Sequence, residues 1–113
     1  MERLIAILDS IGIPYAYDHF TEGESPDPPF ICYLLPGNDN FAADGRAYFK
    51  IDDVHIELYT DRKDLQSEKR VEDALDAASV FYAKSETWIG SEKLYEVLYQ
   101  FEMEGMNDGE QEE

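Results

Sequence analysis

Ten residues near the carboxyl end alternate strictly between two kinds of side chain, which is typical of a strand buried on one face. One set is apolar or aromatic throughout and consists of Tyr95, Val97, Tyr99, Phe101 and Met103. The other set includes two glutamates and a glutamine. Residues 84–89 precede this run across a short turn, so we expect the two segments to pair as a hairpin.

The middle of the chain has the same period in two stretches. Residues 47–51 and residues 54–58 each alternate apolar with polar side chains. Asp52 and Asp53 lie between the two stretches, and this pair of turn-forming residues predicts a tight hairpin connection. Residues 41–43 are a further short segment that can pair with this sheet.

The amino-terminal third alternates between apolar segments and turn chemistry. Residues 30–35 form a continuous apolar run next to prolines, which predicts a strand buried on both faces. Residues 15–20 predict another strand, and residues 36–40 predict a turn. Residues 21–29 hold three prolines, a glycine and three acids, so we expect an exposed, extended loop.

Two segments have helical periodicity. Residues 2–11 carry apolar side chains at spacings of three and four, and Gly12 gives a stop signal. The second helix is predicted over residues 64–82, with Asp64 as its N-cap and Phe81 beside its apolar stripe.

This order of elements predicts an α+β fold with two layers. We expect a mostly antiparallel or mixed sheet with both helices packed on one face. The other face should carry tyrosine, histidine and charged side chains, and be either wetted or covered by a partner. Residues 1–103 are expected to form a single domain, followed by a disordered acidic tail over residues 104–113.

Charge narrows the functions that such a domain can perform. The 113 residues carry a formal net charge of −17, and without the last twelve residues the net charge is still −11. A basic face for nucleic acid is hard to assemble from nine Lys and Arg among 26 Asp and Glu. The sequence has no apolar run of membrane-spanning length and no signal peptide, and its single cysteine is typical of a reducing compartment.

Carboxylates and a histidine near the middle raise the question of a metal site. Asp52, Asp53, His55 and Glu57 have ligand chemistry, but a hairpin turn favours Asp, and His55 and Glu57 suit the polar face of a strand with no third ligand implied, so we favour that interpretation. Cys32 lies in an apolar run, where a thiol has a raised pKa. We therefore expect no catalytic residues, no cofactor and no metal site.

Four segments in a fixed order carry a resemblance to a known protein family. They are the Leu4-Ile5-x-x-Leu8 helix leading to Gly12-Ile13-Pro14-Tyr15-Ala16-Tyr17, the entry Pro28-Pro29-Phe30-Ile31-Cys32-Tyr33-Leu34, the segment Asn40-Phe41-Ala42-Ala43-Asp44 with Tyr48, and Ile56-Glu57-Leu58-Tyr59-Thr60-Asp61-x-Lys63-Asp64 leading to a helix with Glu68, Glu72 and Leu75. In these features the sequence resembles the tail terminator (tail-completion, head–tail joining) proteins of long-tailed bacteriophages, in the version carried by prophages of Gram-positive bacteria.

The resemblance implies a virion protein that is not an enzyme. Such proteins assemble as a ring, typically a hexamer, on the head-proximal end of the tail tube, and isolated subunits can be monomeric. The implied partners are other copies of the chain, the tail-tube protein and the head–tail connector, with DNA passing through the ring without being specifically bound. The implied location is the virion, and the host cytoplasm during assembly.

A closed ring of this kind requires head-to-tail contacts, and loops that leave the domain are suited to make them. The loops over residues 21–29 and 36–46 are the candidates. The individual residues we select for contacts with subunits or partners are Asp39, Asn40, Phe41, Asp44, Arg46 and Tyr48. Charge alone fits a second hypothesis equally well, namely a small acidic inhibitor, immunity or DNA-mimic module that occupies a basic site on another protein.

Overall fold

The fold is known from a computed structural model that describes residues 1–43 and 47–104, with residues 39–43 and 47–50 described by their backbone alone. Two helices and six strands occur in this part of the chain. They are α1 (Glu2–Ile11), β1 (Tyr15–Tyr17), β2 (Phe30–Leu34), β3 (Asn38–Ala43), β4 (Ala47–Thr60), α2 (Leu65–Ala77), β5 (Ala83–Ile89) and β6 (Leu94–Glu104). No helix in these ranges is long and apolar enough to cross a membrane.

The strands form one mixed sheet around β4. Its order is β1-β2-β4-β6-β5, and β3 also pairs with β4. β1 lies parallel to β2, whereas every other pairing is antiparallel. β6 runs along one side of β4, and β3 and β2 follow one another along its other side. The predicted hairpin of β5 and β6 is confirmed.

The predicted turn at Asp52 and Asp53 is wrong, because β4 continues through both residues. Asp52 is buried on the same face as Val54, in phase with the core residues that follow it. Its cross-strand partners are Asn38 on β3 and Met103 on β6, so neighbouring strands hold it on both sides. Turn chemistry at residues 36–40 is likewise limited, because β3 begins at Asn38, and the predicted pairing of residues 41–43 is confirmed.

One hydrophobic core joins both helices to the same face of the sheet. Residues at the centre of the sheet, among them Ile31, Ile56 and Tyr99, share a cluster with Leu8 of α1 and Leu75 of α2. The α+β fold with two helices on one face is thus confirmed. The alternation along β6 is also confirmed, since its odd-numbered residues from 97 to 103 are buried in this core.

The helix boundaries follow the sequence signals at three of four ends. α1 matches residues 2–11, and Gly12 follows it in the left-handed conformation, at φ 80°. The Asp64 side chain accepts a hydrogen bond from the backbone N–H of Ser67 at 3.0 Å, which confirms the predicted N-cap of α2.

The carboxyl end of α2 differs from the prediction. The helix stops at Ala77, and Val80 N–H donates to the carbonyl of Leu75 at 2.9 Å, closing the last turn. Ser79 has φ 60°, which turns the chain back towards β5. The predicted helix to residue 82 is therefore wrong, and Phe81 is 99% exposed rather than part of the apolar stripe.

Two other predicted segments differ in extent from the observed ones. The strand predicted over residues 15–20 stops after Tyr17, because Asp18 adopts φ 67°. β6 extends to Glu104, whereas residues 105–113 lie outside the described residues, and so the acidic tail stays a prediction.

Candidate interaction surfaces

β3 and the first part of β4 form a two-stranded ribbon, which we call the arm (residues 38–43 and 47–52). Pairing of β4 with β6 begins only at Ile51, and pairing with β2 only at His55. Within the described chain, residues 47–50 therefore pair with β3 alone. At 3.4 Å per residue this part of the ribbon extends roughly 14 Å beyond the rest of the sheet.

Four of the six candidate contact residues chosen from the sequence fall on the arm. Phe41 lies opposite Phe49 in the register, Asn40 opposite Lys50, and Tyr48 opposite Ala42. Asp39 lies at the base of the arm, opposite Ile51. Asp44 and Arg46 lie outside the described residues. The segment predicted as a loop over residues 36–46 is thus mostly strand. That its residues contact other subunits or partners stays a prediction.

Asp52 at the base of the arm has an unusual environment. Its side chain is only 4% exposed, and its Oδ2 atom has no hydrogen-bond partner in the described structure. An unsatisfied buried carboxylate oxygen is uncommon, because the oxygen loses its hydration without a replacement. Nothing in the local sequence signals this environment, because Asp52 was predicted to lie in a tight hairpin turn.

The opposite side of the sheet carries no helix in the described chain, and we call it the helix-free face. Its centre consists of Cys32 on β2, His55, Glu57 and Tyr59 on β4, and Glu96 and Leu98 on β6. Apart from buried Cys32, these side chains are half-buried. Cross-strand pairing sets Glu57 between Cys32 and Leu98, so a carboxylate lies between two apolar neighbours.

Tyr59 links two carboxylates on the helix-free face. Its hydroxyl donates to Oε1 of Glu57 at 2.8 Å and lies 3.5 Å from Oε2 of Glu96. Burial raises the pKa of Glu57, while the hydrogen bond from Tyr59 opposes that effect and the charge of Glu96 adds to it. Burial and the Glu57 carboxylate likewise raise the pKa of the Tyr59 hydroxyl above its ordinary value.

Aromatic rings close one end of this face. Phe30 stacks on Tyr59 with ring centroids 5.2 Å apart, and Phe20 from the loop after β1 packs edge-on against Phe30 at 5.6 Å. This part of the loop over residues 18–29 is therefore attached to the sheet, whereas most of its remaining side chains are exposed.

The candidate metal ligands considered from the sequence do not lie together in one site. Asp52 points into the core side, whereas His55 and Glu57 lie on the helix-free face, where Nε2 of His55 is 3.2 Å from the amide nitrogen of Gln100. No group of three or more His, Cys, Asp or Glu in residues 1–43 and 47–104 is arranged to hold a metal ion. Burial raises the pKa of the Cys32 thiol to about 11, as predicted.

A buried ionic network joins α2 to β5, and sequence reasoning missed it. The Glu68 carboxylate accepts hydrogen bonds from Lys63 and Lys84, each at 2.8 Å, although its side chain is only 3% exposed. Lys84 also lies 2.6 Å from Glu72, which accepts a hydrogen bond from Tyr99 at 2.8 Å. These partners come from α2, β5, β6 and the segment before α2, so only the tertiary fold brings them together.

The sequence and the fold were compared with those of known proteins. No protein family and no curated protein matches the sequence. A solved structure does match: a chain of the "Virion of native gene transfer agent (GTA) particle" has a TM-score of 0.58, covering 87% of this chain and 82% of that chain. The chain shares its fold with a virion protein. The two sequences are 13% identical, so the likeness concerns the fold alone.

Proposed function

We propose that this chain is a non-enzymatic virion assembly protein of a long-tailed phage, acting as its tail terminator. In this role, copies of the chain form a ring, a hexamer when assembled, on the head-proximal end of the tail tube. The ring stops tube growth and gives the head–tail connector a surface on which to dock. DNA passes through the ring without being specifically bound, and the protein is located in the virion after assembly in the host cytoplasm.

The shared fold with the virion chain is the observation that carries the proposal. The match covers more than four fifths of both chains, so it extends over most of the domain rather than over one common motif. A gene transfer agent particle is phage-like, and a structural role in such a particle agrees with the family that the sequence resembles.

The arm supports the assembly role on physical grounds. A two-stranded ribbon is marginally stable alone in water, and it becomes stable when it packs on another surface. Because residues 47–50 pair only with β3 in the described chain, a neighbouring subunit or the tube is a suitable source of that surface. An arm that meets a different region of the next copy makes the head-to-tail contact that a ring requires.

Charge supports the passage of DNA. A strongly acidic wall repels the phosphate backbone, which is the reverse of the attraction that a basic channel exerts. We propose that part of the −11 charge of the folded body faces the bore of the ring. An assembled ring with a neutral or basic bore would remove this part of the proposal.

The decisive experiment mixes the protein with tail-tube protein and follows tube length and capped ends by negative-stain electron microscopy. Wild-type protein should limit tube length and form a ring at one end. An arm-shortened variant, with residues 41–49 replaced by Asn-Gly, joins Asn40 to opposing Lys50 through a two-residue turn. It should keep its fold by circular dichroism but lose capping. Full capping by this folded variant would exclude the arm as the contact.

A charge reversal gives a gentler test of the same contact. Arg46→Glu changes one of the candidate contact residues chosen from the sequence, and we expect weaker capping with unchanged thermal stability. Arg62→Glu is the matched control, because Arg62 is highly exposed in the segment between β4 and α2, away from the arm. Equal effects of the two substitutions would indicate general electrostatics rather than a contact at Arg46.

The second candidate function is a small acidic module that occupies a basic site on another protein. It is favoured by the lack of Lys and Arg among the described strand residues that face the helix-free side of the sheet. The same mixing experiment separates the two candidates. A module of this kind leaves tube length unchanged and remains a single globule without rings.

A further inference from the structure

The helix-free face combines apolar area with one sign of charge. Strand alternation assigns to it the even-numbered residues of β2 and β6 and the odd-numbered residues of the paired part of β4. These positions include five carboxylates and no Lys or Arg: Asp53, Glu57, Glu96, Glu102 and Glu104. Leu98, Tyr59 and Phe30 supply apolar area between them.

Basic residues are segregated from this face. In the described chain, Lys50 belongs to the arm, and the other Lys and Arg residues belong to the helices, to the segment before α2, to the core side of β5 and to the turn before β6. Lys63 and Lys84 are bound to Glu68 on the other side of the sheet. The face therefore lacks internal neutralisation, and a positively charged partner would be complementary to it.

The carboxylates at the centre of the face are already ordered. Tyr59 holds Glu57 by a 2.8 Å hydrogen bond and approaches Glu96, so less side-chain entropy is lost when a ligand binds. Two acceptors beside a flat aromatic ring suit a guanidinium group, which forms bidentate hydrogen bonds and stacks on aromatic faces. Burial raises the pKa of Glu57 because the carboxylate loses hydration, and a cation bound beside it would compensate for that loss.

We propose that the helix-free face binds an extended segment of a basic partner protein, in which arginines and apolar side chains take turns at every second residue and so lie on the same side of the segment. The arginines pair with Glu57 and Glu96, and an apolar side chain between them packs on Leu98. This partner is distinct from a second copy of the chain, whose net charge of −17 would repel the face. The inference does not rest on the tail-terminator proposal, because it follows from this surface alone.

The test uses the full chain, ¹⁵N-labelled, and the synthetic peptide Arg-Ser-Val-Ser-Arg-Ser-Val-Ser-Arg with blocked ends, in which Arg and Val lie on the same side of an extended chain. We expect amide shifts confined to β2, β4, β5 and β6 and the loop carrying Phe20, with affinity measured by calorimetry. Peptides with Glu for Arg or Gly for Val should bind at least about tenfold more weakly. Shifts spread over α1 and α2, or no binding, would overturn the proposal.

Two matched pairs of variants assign the affinity to this face. The double variant Glu57→Gln, Glu96→Gln should weaken binding about tenfold, whereas Glu2→Gln, Asp76→Asn removes the same charge from exposed helical positions and should change it less than about twofold. Leu98→Ala should weaken binding, and Leu65→Ala, at a 68% exposed position on α2, should not. Equal losses within either pair would show general attraction only.

The helix-free face could instead be covered by a second copy of the chain, and sedimentation tests this alternative. Sedimentation of the free protein should show a single species across concentrations that bracket the peptide affinity. A dimer that forms with increasing concentration, and that the Glu57→Gln, Glu96→Gln variant abolishes, would assign the face to a second copy and overturn the proposal.

Discussion

The Tyr99 hydroxyl donates a hydrogen bond to Oε2 of Glu72 at 2.8 Å and so connects the middle of the sheet to α2. Tyr99 is completely buried, and the ring of Tyr82 packs against it edge-on at 5.5 Å. Burial, together with the hydrogen bond to Glu72, raises the pKa of the Tyr99 hydroxyl above its ordinary value. The sheet is thereby attached to α2 by a directional polar contact as well as by apolar packing.

Tyr99→Phe should destabilise the fold by about 1 to 2 kcal/mol, since it removes this hydrogen bond and leaves the ring in place. Urea unfolding followed by circular dichroism measures the effect. Tyr82→Phe is the control, because its half-buried ring makes no side-chain hydrogen bond in the described structure, and it should change stability by less than about 0.5 kcal/mol. Equal losses in the two variants would mean that the Glu72 contact contributes nothing.

Much of this fold can be predicted from local sequence patterns. The alternation along β6, the N-cap at Asp64 and the apolar run of β2 each depend on neighbouring residues only, and all three match the structure. The error at Asp52 and Asp53 has a tertiary cause. Aspartates favour turns locally, but pairing with β3 on one side and β6 on the other keeps β4 extended through them.

The interaction surfaces depend more strongly on the fold. The sequence predicted a sheet face bearing tyrosine, histidine and charge, but not that Tyr59 would join Glu57 to Glu96. That arrangement requires the register of β4 against β6, which no local pattern specifies. The ionic network around Glu68 was also missed, because Lys63 and Lys84 reach it from separate segments of the chain.

The Glu68 network gives a prediction for acid unfolding. Burial alone would raise the pKa of Glu68, but the hydrogen bonds from Lys63 and Lys84 bring it below its ordinary value. A lowered pKa in the folded state contributes stability above the unfolded pKa of about 4.3, and that stability is lost as pH falls through the folded value. Glu68→Gln should therefore destabilise the protein by roughly 2 kcal/mol at pH 7 and progressively less below pH 4.

Denaturant unfolding of both proteins at pH 7, 5, 4 and 3 checks this dependence on pH. Glu86→Gln is the control, because Glu86 also pairs with Lys63 but is 38% exposed in its side chain. It should shift stability by less than about 1 kcal/mol at every pH. A Glu68→Gln difference that stays constant down to pH 3 would contradict the role assigned to the ionised carboxylate.

Asp52→Val should stabilise the isolated protein by about 1 to 3 kcal/mol, because it removes a buried oxygen that has no hydrogen-bond partner. Valine also suits a strand position in phase with Val54. The midpoint of urea unfolding measures the gain, and Asp53→Val, at the neighbouring half-buried position facing the other way, should give a smaller one. A loss of stability in Asp52→Val would show that the Asp52 carboxylate has hydrogen-bond partners. Its burial at the base of the arm would then not lower the free energy of unfolding.

Gly12 and Gly23 form a natural comparison, since both adopt positive φ, at 80° and 83°. A side chain at either position brings left-handed strain of about 1 kcal/mol. At Gly12 a Cβ would also come 2.8 Å from Nη2 of Arg70. This nitrogen donates to the carbonyls of Ile11 and Gly12 at 2.8 and 2.9 Å, and so joins α2 to the end of α1. Nothing lies within 4 Å of a Cβ at Gly23. Gly12→Ala should therefore cost about 1 to 2 kcal/mol more than Gly23→Ala in thermal or urea unfolding, and equal losses would mean that Arg70 moves aside without weakening the helix contact.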